Sequence, residues 1–317
     1  MLNPAIDGGP DICVKCRTGA DLRKTVIDIV LLLGVAVIAA LEFGAFPFLF
    51  PASGAGAAAL IALAALSAPL HYGLMHETMH GNLFASERWN RIVGRALGDT
   101  LGLPFETMRF GHLAHHSNNR HTFDRPEHFV PGQSWPAAAA VYYGKLLIGN
   151  ALIYTLIPLL TFLPLSTIAR IPVPEEAGAQ QFRAAALRAF SNPSRKRAVQ
   201  IDVIAILLLG ALAVTLWSAQ WWVFAACILA RWSVLSILDN APHYAMPLNS
   251  GLEARNTSLP IWLRWLVLNQ NFHDVHHHNP KLRWTELPET FRRSSREHNG
   301  SWFGAVLGQL RGPVELS

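Results

Sequence analysis

Apolar residues along this chain gather into four long runs and one broken one. Val26 to Phe50 is apolar except for Asp28 and Glu42, and Ala55 to Met75 follows after the short link Pro51 to Gly54. A second pair, Ile201 to Trp217 and Trp221 to Leu238, is joined by Ser-Ala-Gln and flanked by Trp217, Trp221 and Trp222, where an aromatic belt would lie. Each run comes near the ~20 residues with which a helix crosses a hydrocarbon layer. The pattern therefore predicts two tight helical hairpins. The fifth stretch, Ala137 to Leu165, is interrupted by Lys145, Asn150, Pro158 and Pro164.

The placement of charge decides how that fifth stretch is read. The links Pro51 to Gly54 and Ser218 to Gln220 carry no Lys or Arg, whereas Lys15 to Lys24, Arg88 to Arg95, Arg183 to Arg197 and Lys281 to Arg296 are basic. Basic connecting segments tend to stay on the cytoplasmic side. A single crossing by 137 to 165 would divide them, so this stretch is expected to be interfacial or re-entrant. The predicted fold is all-α and integral to a membrane, with four transmembrane helices in two hairpins, interfacial helices, and a cytoplasmic histidine-rich cap. The first 24 residues carry acids and no early apolar core, which argues against a cleavable signal peptide.

Composition agrees with this pattern. The chain is 51% hydrophobic and only 15% charged, against roughly 25% charged for soluble domains. Its net charge of +5 would suit a nucleic acid, but the basic residues sit on the loops of one side, so no nucleic-acid partner is expected. Three cysteines, with Cys227 inside an apolar run, exclude a disulfide framework. Cys13 and Cys16 form a lone CxxC, too few ligands for a structural zinc site.

The candidate chemistry lies in the histidines, of which there are fourteen. One cluster closes the second run, His76-Glu77-Thr-Met-His80, with two imidazoles four apart on one helical face. A second is His112-Leu-Ala-His115-His116, and a third, His273-Asp-Val-His276-His277, repeats the HxxHH spacing. In HxxHH all three rings can project to one side of a helix, so two such sets can share two metals. Buried imidazoles need partners, and eight on one membrane face are more simply explained as ligands than as separately satisfied core residues. His243, just beyond the last run, is a ninth candidate. His121, five residues after the second cluster, is a candidate to orient a ligand from behind.

HxxxH, HxxHH and HxxHH in this order over a four-span chain resemble the membrane fatty acid desaturase superfamily. The resemblance covers residues 60 to 290 and extends to local wording such as Asn271-Phe-His-Asp-Val-His-His277, Asn279-Pro280 and Trp284-x-x-Leu287-Pro288. It implies a cytoplasmic cap holding two irons, with His76, His80, His112, His115, His116, His273, His276 and His277 as ligands. His243 matches the family's histidine after the last span. Asn240 resembles a family asparagine that holds a water at one iron, and Asp239 competes for that role.

The resemblance divides the chain into a cytoplasmic segment 1–25, a membrane catalytic domain 26–290 and a cytoplasmic tail 291–317. It implies an O2-dependent acyl desaturase acting on a lipid acyl chain. A hydroxylase or carotenoid ketolase would share the ligand pattern. No fused electron carrier is evident in the sequence, so a separate donor such as a ferredoxin with its reductase is expected. The expected location is a bacterial inner membrane, with the site facing the cytoplasm. A rival from another class reads His76-Glu77-x-x-His80 as HExxH of an intramembrane zinc protease with Glu77 as base. That reading accounts for neither HxxHH set. In the preferred one Glu77 packs behind the ligands. Metal transport is disfavoured because the charges inside the runs, Asp28, Glu42, Asp202 and Arg231, are scattered along the sequence.

Overall fold

The computed structural model describes residues 19–49, 53–119, 124–173, 177–247 and 254–316. His121, with the ligand-orienting role expected of it, and the Cys13–Cys16 motif lie outside them. The chain is mostly helical. In order, α1 (Gly19–Ala40) runs through a π turn into α2 (Phe46–Leu49), followed by α3 (Gly54–His80), α4 (Glu87–Leu101) and α5 (Phe105–Asn118). A two-residue strand β1 (His128–Phe129) precedes α6 (Trp135–Gly144), α7 (Asn150–Leu156), α8 (Leu165–Ile168) and α9 (Ala177–Ser191). The second apolar pair is α10 (Pro193–Trp217) and α11 (Trp221–Asn240). Then come the short helices α12 (Ile261–Arg264), α13 (His273–His278), α14 (Leu287–Arg293) and α15 (Trp302–Gly308), and strand β2 (Val314–Glu315), which pairs in parallel with β1.

Local chemistry fixes the long helices. The Ser53 hydroxyl accepts from Gly56 N (3.0 Å) to start α3, and Gly81, at φ 75°, stops it one residue after His80. Asn192 caps α10 by accepting from the amides of Ser194 and Arg195. At the end of α1, Gly44 adopts φ 154°, and a Cβ there would lie 2.4 Å from Leu216 Cδ1. Only glycine lets the bend approach α10 so closely.

Among the described residues, three helical segments are long and apolar enough to cross a membrane: Lys24–Leu49, Gly54–His80 and the 48-residue Pro193–Asn240. The last would measure ~72 Å if straight, more than twice a ~30 Å hydrocarbon layer. It is broken at Ser218–Gln220, where Ser218 takes φ 49°, and α10 and α11 pack against each other. The sequence expectation of a hairpin here agrees with this packing. Trp135–Gly149 and Ala151–Phe162 form one further apolar pair, bent by 59°, either a broken span or a re-entrant loop.

α11 and α4 pack most extensively on α3. Met75, Met79, Leu101, Phe105, Leu268 and Trp284 are fully buried around that junction. The charges scattered along the sequence are paired in space. Asp28 meets Arg283 and accepts from Trp284 Nε1 (2.9 Å). Glu42 meets Arg231, whose Nη1 also donates to Thr100 O (2.8 Å), and Asp202 accepts from Arg95 Nε (2.5 Å). Such pairing is what permits charge in an apolar layer.

Candidate metal centre

Nine histidines, from α3, α5, the turn after α11 and α13, converge beside the C-terminal ends of α3 and α11. They form two groups, within each of which the candidate ligand atoms all lie within 4.8 Å of one another. One holds His76, His80, His112, His116 and His276; the other holds His115, His243, His273 and His277. These are the nine positions singled out by the sequence.

The division within the motifs differs from the expectation that each HxxHH presents its three rings to a common side. In α5, His112 and His116 enter the five-membered group while His115 enters the other. In α13 the roles exchange: His273 and His277 enter the four-membered group and His276 crosses to the first. The physical reason is helical geometry. Residues i and i+4 lie ~40° apart around a helix, whereas i+3 falls ~100° from i+4. Where two helices face each other, each contributes its one-turn pair to one group and its third ring to the neighbour. The groups touch where His116 and His277 stack with ring centroids 4.2 Å apart.

The nitrogens are aimed inward. In the first group Nε2 of His112 lies 2.7 Å from that of His80 and 3.1 Å from that of His116, which lies 3.1 Å from that of His276. In the second, Nε2 of His243 lies 3.2 Å from His115 and 3.1 Å from His273, and His273 lies 3.2 Å from His277. A metal–nitrogen bond of ~2.1 Å places neighbouring ligands roughly 3.0 Å apart at 90° and roughly 3.4 Å apart in a tetrahedron. Most of these edges match a coordination shell. His76 Nε2 is buried with no hydrogen-bond partner among the described residues, as expected of a lone pair reserved for a metal. Two transition-metal ions therefore fit the donor set present, one in each group.

Protonation favours binding. Burial first, and then the crowding of neighbouring imidazoles, hold the His112, His273, His276 and His277 rings well below their usual range, and push His116 down to about 3. These rings are neutral at physiological pH, the state a metal needs.

Other side chains orient the rings from behind. Asp124 accepts from His115 Nδ1 at 2.6 Å, which fixes the proton there and turns the Nε2 lone pair inward. Gln270 lies between the groups, its Oε1 accepting from His273 Nδ1 (3.3 Å) and its Nε2 3.4 Å from His76 Nδ1. Glu77 Oε2 accepts from Trp284 N (3.0 Å), and its Oε1 lies 3.9 Å from His76 Nδ1. Sequence reasoning did not select Asp124 or Gln270. Their signals were an acid shortly after the second cluster and an amide three residues before the third.

The two helices are clamped in register. Lys281 Nζ donates to His80 O (2.8 Å), and Asn82 Nδ2 donates to Pro280 O (2.9 Å) and Leu282 O (3.0 Å). Asp274 pairs with Arg296 and accepts from Asn256 Nδ2 (3.4 Å), holding α13 from the far side. Just before it, buried Leu268 and Asn269 take φ 45° and 56°. A bulky residue held there stores strain next to the site.

Asn240 and Asp239, named for a water-holding role, each have a side-chain partner, and Asp239 also lines the cavity that exposes His76, His112 and His273. Asn240 Nδ2 donates to Gln309 Oε1 (2.8 Å), and Asp239 Oδ1 accepts from the Tyr72 hydroxyl (3.4 Å). His71, unassigned from the sequence, contacts Leu97 O through Nε2 (3.1 Å). A cavity of about 80 Å³ opens onto His76, His112 and His273, walled mainly by apolar groups including Gly73, Leu235 and Val267.

Long apolar helices with clustered imidazoles at their ends define a helical, membrane-type protein with a metal-binding geometry made of histidines. The family model described as Fatty acid desaturase matches residues 51–304, and the chain belongs to that family. No curated protein matches it.

Proposed function

We propose that the chain is an O2-dependent membrane acyl desaturase that introduces a C=C bond into a lipid acyl chain at two irons. The observation carrying this reading is the pair of adjacent imidazole groups whose edges fit two metal shells. One iron would be held by His76, His80, His112, His116 and His276, the other by His115, His243, His273 and His277. Irons bound there supply reduction of O2 to an oxidant able to remove hydrogen from an unactivated C–H bond.

The chain's own residues do the positioning. Asp124 and Gln270 keep ring protons on the outer nitrogens of His115 and His273. The apolar cavity beside His76, His112 and His273 holds an acyl segment and excludes water. Glu77 is bonded to the Trp284 backbone behind the site, which favours its packing role over that of a protease base. Asn240 and Asp239 border the site, and the bond from Asn240 Nδ2 to Gln309 does not use the Asn240 carbonyl oxygen.

In this reading four spans, α1 with α3 and α10 with α11, carry the cap on the cytoplasmic face of a bacterial inner membrane, with the bent pair interfacial. The three expected divisions, 1–25, 26–290 and 291–317, accompany it. Electrons come from a separate donor such as a ferredoxin with its reductase. Metal analysis of the purified protein, joined to mass spectrometry of lipids from an expressing host, tests the reading. About two irons per chain and products lighter by two hydrogens support it. A gain of oxygen would identify a hydroxylase or ketolase, and about one zinc per chain would refute the oxygenase.

A further inference from the structure

α15 is apolar on both sides. Its inner side puts Trp302 and Ala305 on the wall of the cavity that also exposes His76, His112 and His273. In the turn that follows, buried Gln309 donates to Ile237 O (2.7 Å), fastening that side to α11. The outer side carries Phe303, Leu307 and Leu310, exposed by 51, 62 and 59%. Spacings of four and three align them in one stripe. Between Ser301 and Leu310 there is no charged residue. A helix facing water carries a polar outer side, whereas one apolar all round belongs in a core or in lipid.

The stripe is part of a larger surface. Ser258 and Ser301 form a backbone bridge from which α12 departs, with Ile261 and Trp262 exposed by 73 and 72%. The hydroxyls of Tyr142 and Tyr143 donate to Gln309 O (3.0 Å) and Leu310 O (2.8 Å). They tie this region to the bent pair, which is itself apolar enough for a membrane and exposes Trp135 by 50%. Continuity with that surface identifies the occupant as lipid. Leu307 and Leu310 lie beyond the residues matched by the family model, so family membership does not supply the feature.

We propose that α15 lies in the lipid leaflet as the membrane-side wall of the cavity, and that the substrate is a lipid dissolved in the bilayer which reaches the histidines sideways past Phe303 and Leu307. The second half rests on the reading of that cavity as the acyl site. The test uses full-length protein with its three cysteines replaced by alanine. Single nitroxide labels are placed at Phe303→Cys, Leu307→Cys and, as an exposed polar control, Glu297→Cys, in phosphatidylcholine–phosphatidylglycerol vesicles. Collisions with O2, which concentrates in lipid, should exceed those with a water-soluble nickel chelate at 303 and 307, with the reverse at 297. Nickel access at 307, or protection from both reagents as under a second copy or a protein partner, overturns the proposal. Leu307→Asp should cut turnover of vesicle-borne acyl lipid ~10-fold or more with iron per chain unchanged. Unchanged turnover, or a parallel loss of iron, overturns the role as a wall. Labels found in lipid, together with an unmutated protein that separately proves to bind no iron, would instead refute the metal-centre reading and leave the helix placement standing.

Discussion

The two histidine groups are built from the same two motifs, yet they differ in their surroundings. Each group has one partly exposed ring, His116 in the five-membered and His115 in the four-membered, but α3 supplies two rings of the five-membered group from a helix locked into the core. The four-membered group takes no ring from that helix. Its His243 comes from the turn after α11, and Asp124 reaches in from the segment after α5 to hold His115. The difference teaches a division of labour between packing and hydrogen bonding. Core packing orients the rings of the first group, whereas the second depends on a carboxylate placed behind a ring.

The largest expected effect breaks either group outright. His276→Ala and His115→Ala should each abolish turnover and lower iron below about two per chain, while the apolar helices still insert in the membrane. Full activity in either variant would contradict the ligand assignment. Asp124→Asn should sharpen the contrast, weakening metal affinity ~10–100-fold in the four-membered group alone. A titration that separates two metal-binding events would read this as a shift of only the weaker one, and a shift of both would make the groups equivalent.

A smaller effect follows from the depressed histidines. His116 is neutral in the fold down to about pH 3, while in the unfolded chain it takes up a proton below its usual 6.5. The unfolded state binds more protons in that window, so this contribution to stability is full above 6.5 and declines as pH falls. The thermal midpoint of the metal-free protein should drop across the window, and His116→Gln should flatten the slope. The smallest effect is expected for His298→Ala. That ring is exposed and stacks on Phe291 with centroids 4.6 Å apart. Its loss should leave iron and turnover unchanged and alter stability by only about 0.5 kcal/mol.

Much of this arrangement is legible in sequence. Hydrophobic run length locates the long helices, and histidine spacing selects eight of the nine clustered positions, because a one-turn repeat is intrinsic to a helix; His243 is reached only from its place after the last run and from the resemblance. What sequence does not carry is how helices face one another. For that reason His115 and His276 were not separated from their neighbours, although the 100° step was available. Asp124 lies only nine residues from His115, but its usefulness depends on the path of the intervening chain. Asp28 and Arg283 are 255 residues apart, so the charges that looked scattered find partners only once the C-terminal segments return to α1. Asn240 is named from its position near His243, and its bond to Gln309, far along the chain, emerges only in the fold.

The pairing of the buried acids of the first apolar helix bears on biosynthesis. The first apolar helix enters a membrane bearing two acids whose mates are made much later: Arg231 for Glu42, then Arg283 and Trp284 for Asp28. Until synthesis passes those positions, the nascent helix carries carboxyl groups without compensation, and it settles only when the final hairpin and cap close over it. Chains cut short before residue 283 should therefore be marked for degradation even with every preceding helix intact.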